Sequence, residues 1–453
     1  MTHRLVVIGA DAAGMSAAHQ ALRTARRLSR ELSVTVLESS GHTSYSACGI
    51  PYWLAGVVGS GDDLVARTAS QHREGGIDLR LHTRAVAADL GEQWVEALGP
   101  DGVERFAYDD LVVTTGARAI VPDWARDAGG GLLPGVGPVH NLDDGAAWLD
   151  RFATHEGPVA IVGGGYIGVE MAEAAVRRGF EATLITRRRV LRSLGEELSQ
   201  RVAGGLRAAG VTVVEDGAVE GLELRDARVS GVAHGGGSAA ARLVVLALGV
   251  RPATDFLEGQ APLTDSGALR PDGNGRVGDG LWAAGDCCDV RHRLSGEWAY
   301  LPLGTHATKH GRALGDSLAG GGLRFDGALG TTITRFAAGG VHLEISCTGL
   351  SPDQVTAAGG RALMTEGTTA SGYLSEAEPI AIEVAADPGS RRLQAVRIVG
   401  GRGAGKRVDA AAAVLWAGGT VDDLAWMDLS YAPPFATAWE ILQVAARRLA
   451  ERL

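Results

Sequence analysis

Cysteine is scarce in this chain, and its spacing narrows the chemistry. Four cysteines, Cys48, Cys287, Cys288 and Cys347, occur in 453 residues, with no CxxC and no metal-ligand spacing. Neither a disulfide framework nor a metal site is expected from that pattern. Adjacent Cys287 and Cys288 would close only a strained disulfide, so they read as reduced and structural. No apolar run approaches a membrane span. Met1-Thr2-His3-Arg4 leads straight into an apolar stretch with no h-region or cleavage site, so the expectation is a cytoplasmic protein. Positive charge is in deficit as well. A formal net charge of -10 argues against general nucleic-acid binding but leaves room for local basic groups around a small anion. The 66 glycines follow no period, which excludes a collagen-like chain; they gather at turns and strand–helix junctions.

What is present is a duplicated nucleotide-binding pattern. Leu5-Val6-Val7-Ile8 is the short apolar run of a buried parallel strand. Gly9-Ala10-Asp11-Ala12-Ala13-Gly14 follows, then a helical pattern over residues 15–28 and a second strand ending at Glu38. An acidic residue at that strand end suits a ribose hydroxyl pair, although Asp11 replaces the middle glycine of the motif. The pattern recurs, complete, as Val159-Ala160-Ile161-Val162 and Gly163-Gly164-Gly165-Tyr166-Ile167-Gly168, followed by a helix and the strand 182–185. Each unit has a later apolar strand, at residues 111–117 and 243–249. Residues 281–286 form another, whose return to the first sheet would make the second unit an insertion in the first. Alternating patterns after about residue 325 predict an α+β third domain, with helices near 351–359 and 410–417.

Between the two units lies Ser44-Tyr45-Ser46-Ala47-Cys48-Gly49-Ile50-Pro51-Tyr52. Pro51 suits the first turn of a helix, where its missing N–H costs nothing. A sulfur at a helix start is expected to favour the thiolate. A lone cysteine is more often a small buried side chain, but the flanking cofactor motifs outweigh that here. After Ile185, where an acidic ribose ligand would favour NADH, the chain has Thr186-Arg187-Arg188-Arg189. Guanidinium groups suit a 2′-phosphate, so NADPH is expected, with NADH possible.

These motifs resemble the pyridine nucleotide-disulfide oxidoreductase family over essentially the whole chain, at residues 6–18, 44–52, 161–174, 248–252 and 281–286. The single-cysteine branch, which includes coenzyme A-disulfide reductase, is the most similar. The fold this implies is α/β, with two Rossmann-like dinucleotide-binding domains and a C-terminal α+β dimerisation domain. The FAD domain is expected at 1–145 and 253–325, the NAD(P) domain at 146–252 and the interface domain at 326–453.

By that resemblance Gly9, Ala12, Ala13, Gly14 and Glu38 hold the adenosine diphosphate half of FAD. Thr115, Gly116 and Asp286 lie along the remainder. Gly163, Gly165, Gly168 and Gly249 receive the nicotinamide dinucleotide, with Arg187 and Arg188 at its 2′-phosphate. Tyr166 resembles the gate over the flavin, and Glu170 the acid near the nicotinamide. The dithiol branch has a second cysteine where this chain has Trp53, so Cys48 would cycle through a mixed disulfide or a sulfenic acid.

Peroxidase and oxidase relatives carry a histidine in the first glycine loop, where this chain has Asp11-Ala12. Ser430-Tyr431-Ala432-Pro433-Pro434-Phe435 resembles the YAPPF signature of coenzyme A-disulfide reductases. Tyr431 would donate a proton to a leaving thiolate, and Tyr373 resembles half of a second tyrosine pair. Ser16, Gln20, Arg23 and Ser44 fall where coenzyme A contacts would fall. Ala47 departs from the usual Asn, and Leu374 from the second Tyr. The resemblance implies a homodimer with an active site shared between subunits. It also implies an enzyme reducing a low-molecular-weight disulfide, coenzyme A disulfide foremost. The alternative is an NAD(P)H oxidase, peroxidase or polysulfide reductase using the same sulfur. No rhodanese domain is expected after Leu453.

Overall fold

A computed structural model describes residues 2–453. Strand β1 (His3–Ile8) pairs in parallel with β2 (Leu32–Leu37) on one side and with Asp110–Val113 on the other. Leu5, Val6, Val7 and Ile8 are each at most 4% exposed, which is why this strand is apolar without alternation. Burying each such side chain is worth about 1.5–3 kcal/mol. The sheet has six strands, in the order Arg276–Gly278, Leu281–Ala283, Asp110–Val113, β1, β2 and β3 (Asp78–Arg80). Leu281–Ala283 returns parallel to Asp110–Val113, so the second unit is indeed inserted within the first.

Helix α1 (Ala12–Arg27) joins β1 to β2 and packs on the helix Gly304–Leu318. Gly311 and Gly315, one turn apart, allow the contact. A Cβ on either would sit 2.1 Å from the carbonyl oxygen of Ala13 or Ala17.

The second sheet orders Thr212–Val214, Ala182–Ile185, Val159–Val162, Leu243–Leu246 and Val136–Pro138. Its last strand pairs in parallel with Leu243–Leu246, so this sheet begins before residue 146, the boundary expected from sequence. Val136-Gly137-Pro138 has too little side chain to signal a strand, and only the pairing reveals it. Val250–Pro252 pairs antiparallel with Ala117–Ala119 and ties the two units together at the crossover.

The third domain is a five-stranded antiparallel sheet in the order Thr332–Ala338, Val341–Gly349, Leu393–Gly400, Pro379–Ala386, Arg361–Thr368. Val408–Trp416, Val421–Trp426 and Ile441–Ala450 cover one face, in a core that includes Ile382, Val384, Val414 and Leu442. Phe336, Ile345 and Val399 bury the opposite face in a core shared with Leu198 and Leu206 of the second unit. The second unit and the third domain therefore share one continuous core, and the cysteine-bearing segment lies against it through Ile50 and Leu54.

Candidate active site

Cys48 occupies a 3₁₀ turn, Ala47–Gly49, that runs directly into helix α2 (Ile50–Leu54), with Pro51 in the first turn as its ring requires. Buried Ile50 and Leu54 anchor the helix and leave Cys48 exposed. Upstream, the segment is stitched to the first glycine loop. Thr43 Oγ1 donates to the Ala10 carbonyl at 2.6 Å, and the Tyr45 N–H donates to Asp11 Oδ1 at 3.2 Å. The Ser46 N–H donates to the Leu64 carbonyl at 2.8 Å.

The expected thiolate bias is not what this environment gives. Although the residue is exposed, burial of the thiol by the surrounding protein pushes Cys48 up, and Glu170 and Asp286 push it further. A five-residue helix contributes too little positive potential to reverse them.

The first glycine loop is a cradle that side chains would fill. Gly9 has φ +102° and a Cβ there would lie 2.2 Å from the Thr114 carbonyl oxygen; on Gly14 it would lie 1.9 Å from that of Gly9. Ala12 and Ala13 keep the start of α1 small. Glu38 Oε2 accepts the Ala10 N–H at 2.9 Å, and Oε1 accepts the Ser40 N–H at 2.8 Å, so the carboxylate is held at the strand end beside the loop. Thr115 Oγ1 is buried without a protein partner, and Gly116 follows it at φ +65°. Asp286 follows the returning strand Leu281–Ala283, its carboxyl raised to about 6 by burial. An orphaned hydroxyl, a glycine cradle and an acid at the strand end fit a dinucleotide such as FAD.

Asp11 stands at the middle position. It caps no N–H of α1; its carboxylate takes the Tyr45 N–H instead, and burial, opposed by that hydrogen bond, raises it to about 7.

The second cradle repeats the geometry. A Cβ on Gly163 would lie 2.1 Å from the Ala247 carbonyl oxygen and one on Gly168 would lie 1.9 Å from that of Gly163, whereas Gly165 faces open space. Gly249, at φ +92°, turns the chain beside it. Glu170 accepts from Thr334 Oγ1 at 2.7 Å, and burial raises it to about 7. Tyr166 is turned toward the third domain, its hydroxyl 2.5 Å from Thr332 Oγ1 and 3.5 Å from Cys347 Sγ. Arg188, Arg189 and Arg192 line a pocket of about 630 Å³ near the end of strand Ala182–Ile185. Arg189 is tied to Glu196 at 3.1 Å, and Arg187 is exposed outside the lining.

A further pocket of about 400 Å³ opens beside the cysteine segment, lined by Ser16, Arg23 and Ser44 among the residues expected from sequence. Gln20 is not in it. Its amide turns inward to Thr24 and Asp316, each at 3.1 Å, and its Oε1 accepts from Arg23 at 2.8 Å, so it positions Arg23 instead. Asp316 is distant in sequence, which is why the helix face alone misled.

The pocket also holds Asp11, His19, Arg67 and His72, which sequence reasoning missed. His19 could have been found, because it shares a helical face with Ser16 and Arg23. His72 could not, because only the fold brings it there.

Tyr373 and Tyr431 are 75% and 52% exposed, and Phe435 is 75% exposed. Their loops are joined where the Ser371 N–H donates to the Pro433 carbonyl at 2.9 Å. Arg407 braces the pair, donating to the Thr369 and Phe435 carbonyls at 2.7 Å while pairing with Glu440.

Comparison with known proteins agrees with this architecture. The profile described as pyridine nucleotide-disulphide oxidoreductase matches residues 3–311, and that of the family's dimerisation domain matches residues 340–442. An NAD(P)H coenzyme A polysulfide/persulfide reductase of Pyrococcus horikoshii is 33% identical, with 99% of each chain covered. A coenzyme A disulfide reductase of Staphylococcus haemolyticus is 24% identical, with 96% of each covered. The NAD-dependent persulfide reductase structure from A. fulgidus superposes with a TM-score of 0.91 at 27% identity, covering 99% of this chain and 83% of that one.

Proposed function

Since this chain belongs to the pyridine nucleotide-disulphide oxidoreductase family, we propose that it uses FAD and NADPH to reduce a coenzyme A-type disulfide through Cys48 alone. One observation carries the reading. Cys48 is the exposed cysteine, whereas Cys287 and Cys288 are buried in the first unit and Cys347 sits against Tyr166. With no second thiol in its segment, Cys48 is free to exchange with a substrate sulfur.

Gly9, Gly14, Glu38, Thr115 and Asp286 would hold FAD, and Gly163, Gly165, Gly168, Gly249 and Arg188 the coenzyme. Bound there, FAD would supply the two-electron exchange between nicotinamide and sulfur. The Cys48 thiolate attacks one sulfur of the disulfide; an S–S bond forms, the substrate S–S bond breaks, and one thiolate leaves with a proton. Two electrons and a further proton then return Cys48 to the thiolate and release the second thiol. Burial raises Glu170 to about 7, so it keeps part of its proton near neutrality and lessens the negative charge beside the sulfur as it ionises.

Exposed Tyr373, Tyr431 and Phe435 lie on the domain that matches the family's dimerisation profile. We assign them to a homodimer interface in which the partner subunit's Tyr431 protonates the leaving thiolate at Cys48. Co-expression tests this. Cys48→Ser and Tyr431→Phe homodimers should each be nearly inactive, while random mixing restores roughly a quarter of wild-type activity. No recovery with mixed dimers present would place both residues in one chain's site.

A persulfide substrate is the second reading, favoured by the polysulfide/persulfide reductase named among the relatives. Sulfide released per NADPH, against two thiols per NADPH, separates the two.

A further inference from the structure

The pocket beside Cys48 contains a continuous polar chain. Arg67 Nη1 lies 3.2 Å from His19 Nε2, His19 Nε2 lies 2.8 Å from His72 Nδ1, and His72 Nε2 lies 2.9 Å from Ser44 Oγ. The donor inventory fixes its direction. A guanidinium only donates, so His19 Nε2 receives. His72 Nδ1 must then carry the hydrogen it shares with His19, which leaves His72 Nε2 to accept the Ser44 hydroxyl. Both imidazoles are neutral in this arrangement. Ser44 is held at φ +46°, a left-handed conformation, at the head of the cysteine segment.

Charge around the pair is one-sided. Helix α1 contributes Arg23 and Arg26, and the segment before helix α3 (Ala69–Glu74) contributes Arg67. On α3, Arg73 is turned to the Leu79 carbonyl and Glu74 to Ser70. Tyr45 and Asp11 face the pocket from the cysteine segment and the first glycine loop, and the helix Gly304–Leu318 contributes Thr308, with Lys309 and Arg312 exposed nearby. Asp11 is thus the carboxylate in the lining. Burial first, then neighbouring positive charge, holds both imidazoles neutral, His72 at about 4.

We propose that the His19–His72 pair, with Arg67 and Arg23, is a proton-linked receptor for a phosphate-bearing thiol substrate. The pair takes up one proton as the phosphate binds. A phosphate dianion offsets the field of the arginines, which adds to burial in keeping the imidazoles neutral. The added proton settles on the pair, His19 Nε2 becomes a donor toward His72, and Arg67 Nη1 is released from His19 to the anion. His72 Nδ1 then accepts from His19 while its Nε2 carries the hydrogen, so Ser44 Oγ turns from donor to acceptor and binding is transmitted to the segment that carries Cys48. The proposal rests on the reading that Cys48 reduces a disulfide carrying such a phosphate.

Calorimetry with coenzyme A as probe, on the FAD-loaded enzyme, tests it without turnover. Titrations at pH 7.5 in two buffers of different ionisation enthalpy should show uptake of roughly half a proton or more, and Kd should rise about tenfold between pH 6.5 and 8.5. His19→Gln and Arg67→Gln should each lose most of that uptake. Arg67→Gln, at an exposed position, remains informative if the histidine variant fails to fold. Titration of the probe's own phosphate is common to all three proteins and cancels in the comparison. Buffer-independent heats in the wild type, full uptake retained in a folded variant, or no coenzyme A binding at all would overturn the proposal. Proton-linked binding of coenzyme A without reduction of its disulfide would uphold the receptor and sink only the catalytic reading.

Discussion

The two glycine loops of this molecule solve the same backbone problem and differ where a ligand would lie. Gly9 and Gly163 have φ +102° and +121°, and a Cβ on either would strike a carbonyl of the next strand, at 2.2 and 2.1 Å. Gly14 and Gly168 meet the first glycine's carbonyl at the same virtual distance, 1.9 Å. These four positions are set by packing of strand against helix, so they recur unchanged. At the middle position the loops part: Gly165 faces open space, whereas Asp11 reaches across to the Tyr45 N–H. At the second strand's end, Glu38 holds the first loop while Thr186 precedes three arginines. Backbone geometry thus marks the class of site, and the ligand-facing side chains mark what each loop is for.

The largest expected effect breaks the packing half of that comparison. Gly9→Ala and Gly163→Ala both force a Cβ into backbone at positive φ, which costs at least a few kcal/mol locally. Gly9→Ala should yield protein without bound flavin. Gly163→Ala should keep flavin yet lose NADPH-driven bleaching by about a hundredfold or more. Flavin absorbance and stopped-flow reduction read the two outcomes; identical losses in both variants would show that the loops do not act separately.

A smaller effect sharpens the ligand-facing half. Arg187→Ala with Arg188→Ala should raise KM for NADPH about tenfold while leaving that for NADH within about twofold. A parallel loss for both coenzymes would remove the 2′-phosphate assignment.

Smallest is the effect of the aspartate that replaces the first loop's middle glycine. Asp11 is raised from 3.8 to about 7, chiefly by burial. Its folded form favours the protonated acid, so its contribution to stability is complete below pH 4 and is lost as pH rises through 7. In flavin-free protein, Asp11→Asn should raise Tm at pH 8 by roughly 2–4 °C and change little at pH 4. An equal shift at both pH values would contradict the titration.

Much of this was legible in the residues. Glycine spacing, apolar runs and the acid at Glu38 are local signals, and they mark both units, the insertion and the third domain. Readings failed where a long-range partner decides. Gln20 looks like an exposed face residue until Asp316 claims its amide. Val136–Pro138 looks like a loop until Leu243–Leu246 pairs with it. His72 reaches His19 only because helix α3 packs back over the first unit. Cys48 reads as a poised thiolate because a helix start is visible in sequence, whereas the burial that raises it, and then the carboxylates of Glu170 and Asp286, come from elsewhere in the fold.

The central claim is that Cys48 is the sole sulfur of the cycle. Intact-mass spectrometry of the FAD-loaded protein after anaerobic exposure to coenzyme A disulfide tests it most directly. The account predicts one coenzyme A adduct per chain, mapped to Cys48, discharged by NADPH and absent from Cys48→Ser. An adduct on Cys347, or continued disulfide reduction by Cys48→Ser, would contradict it.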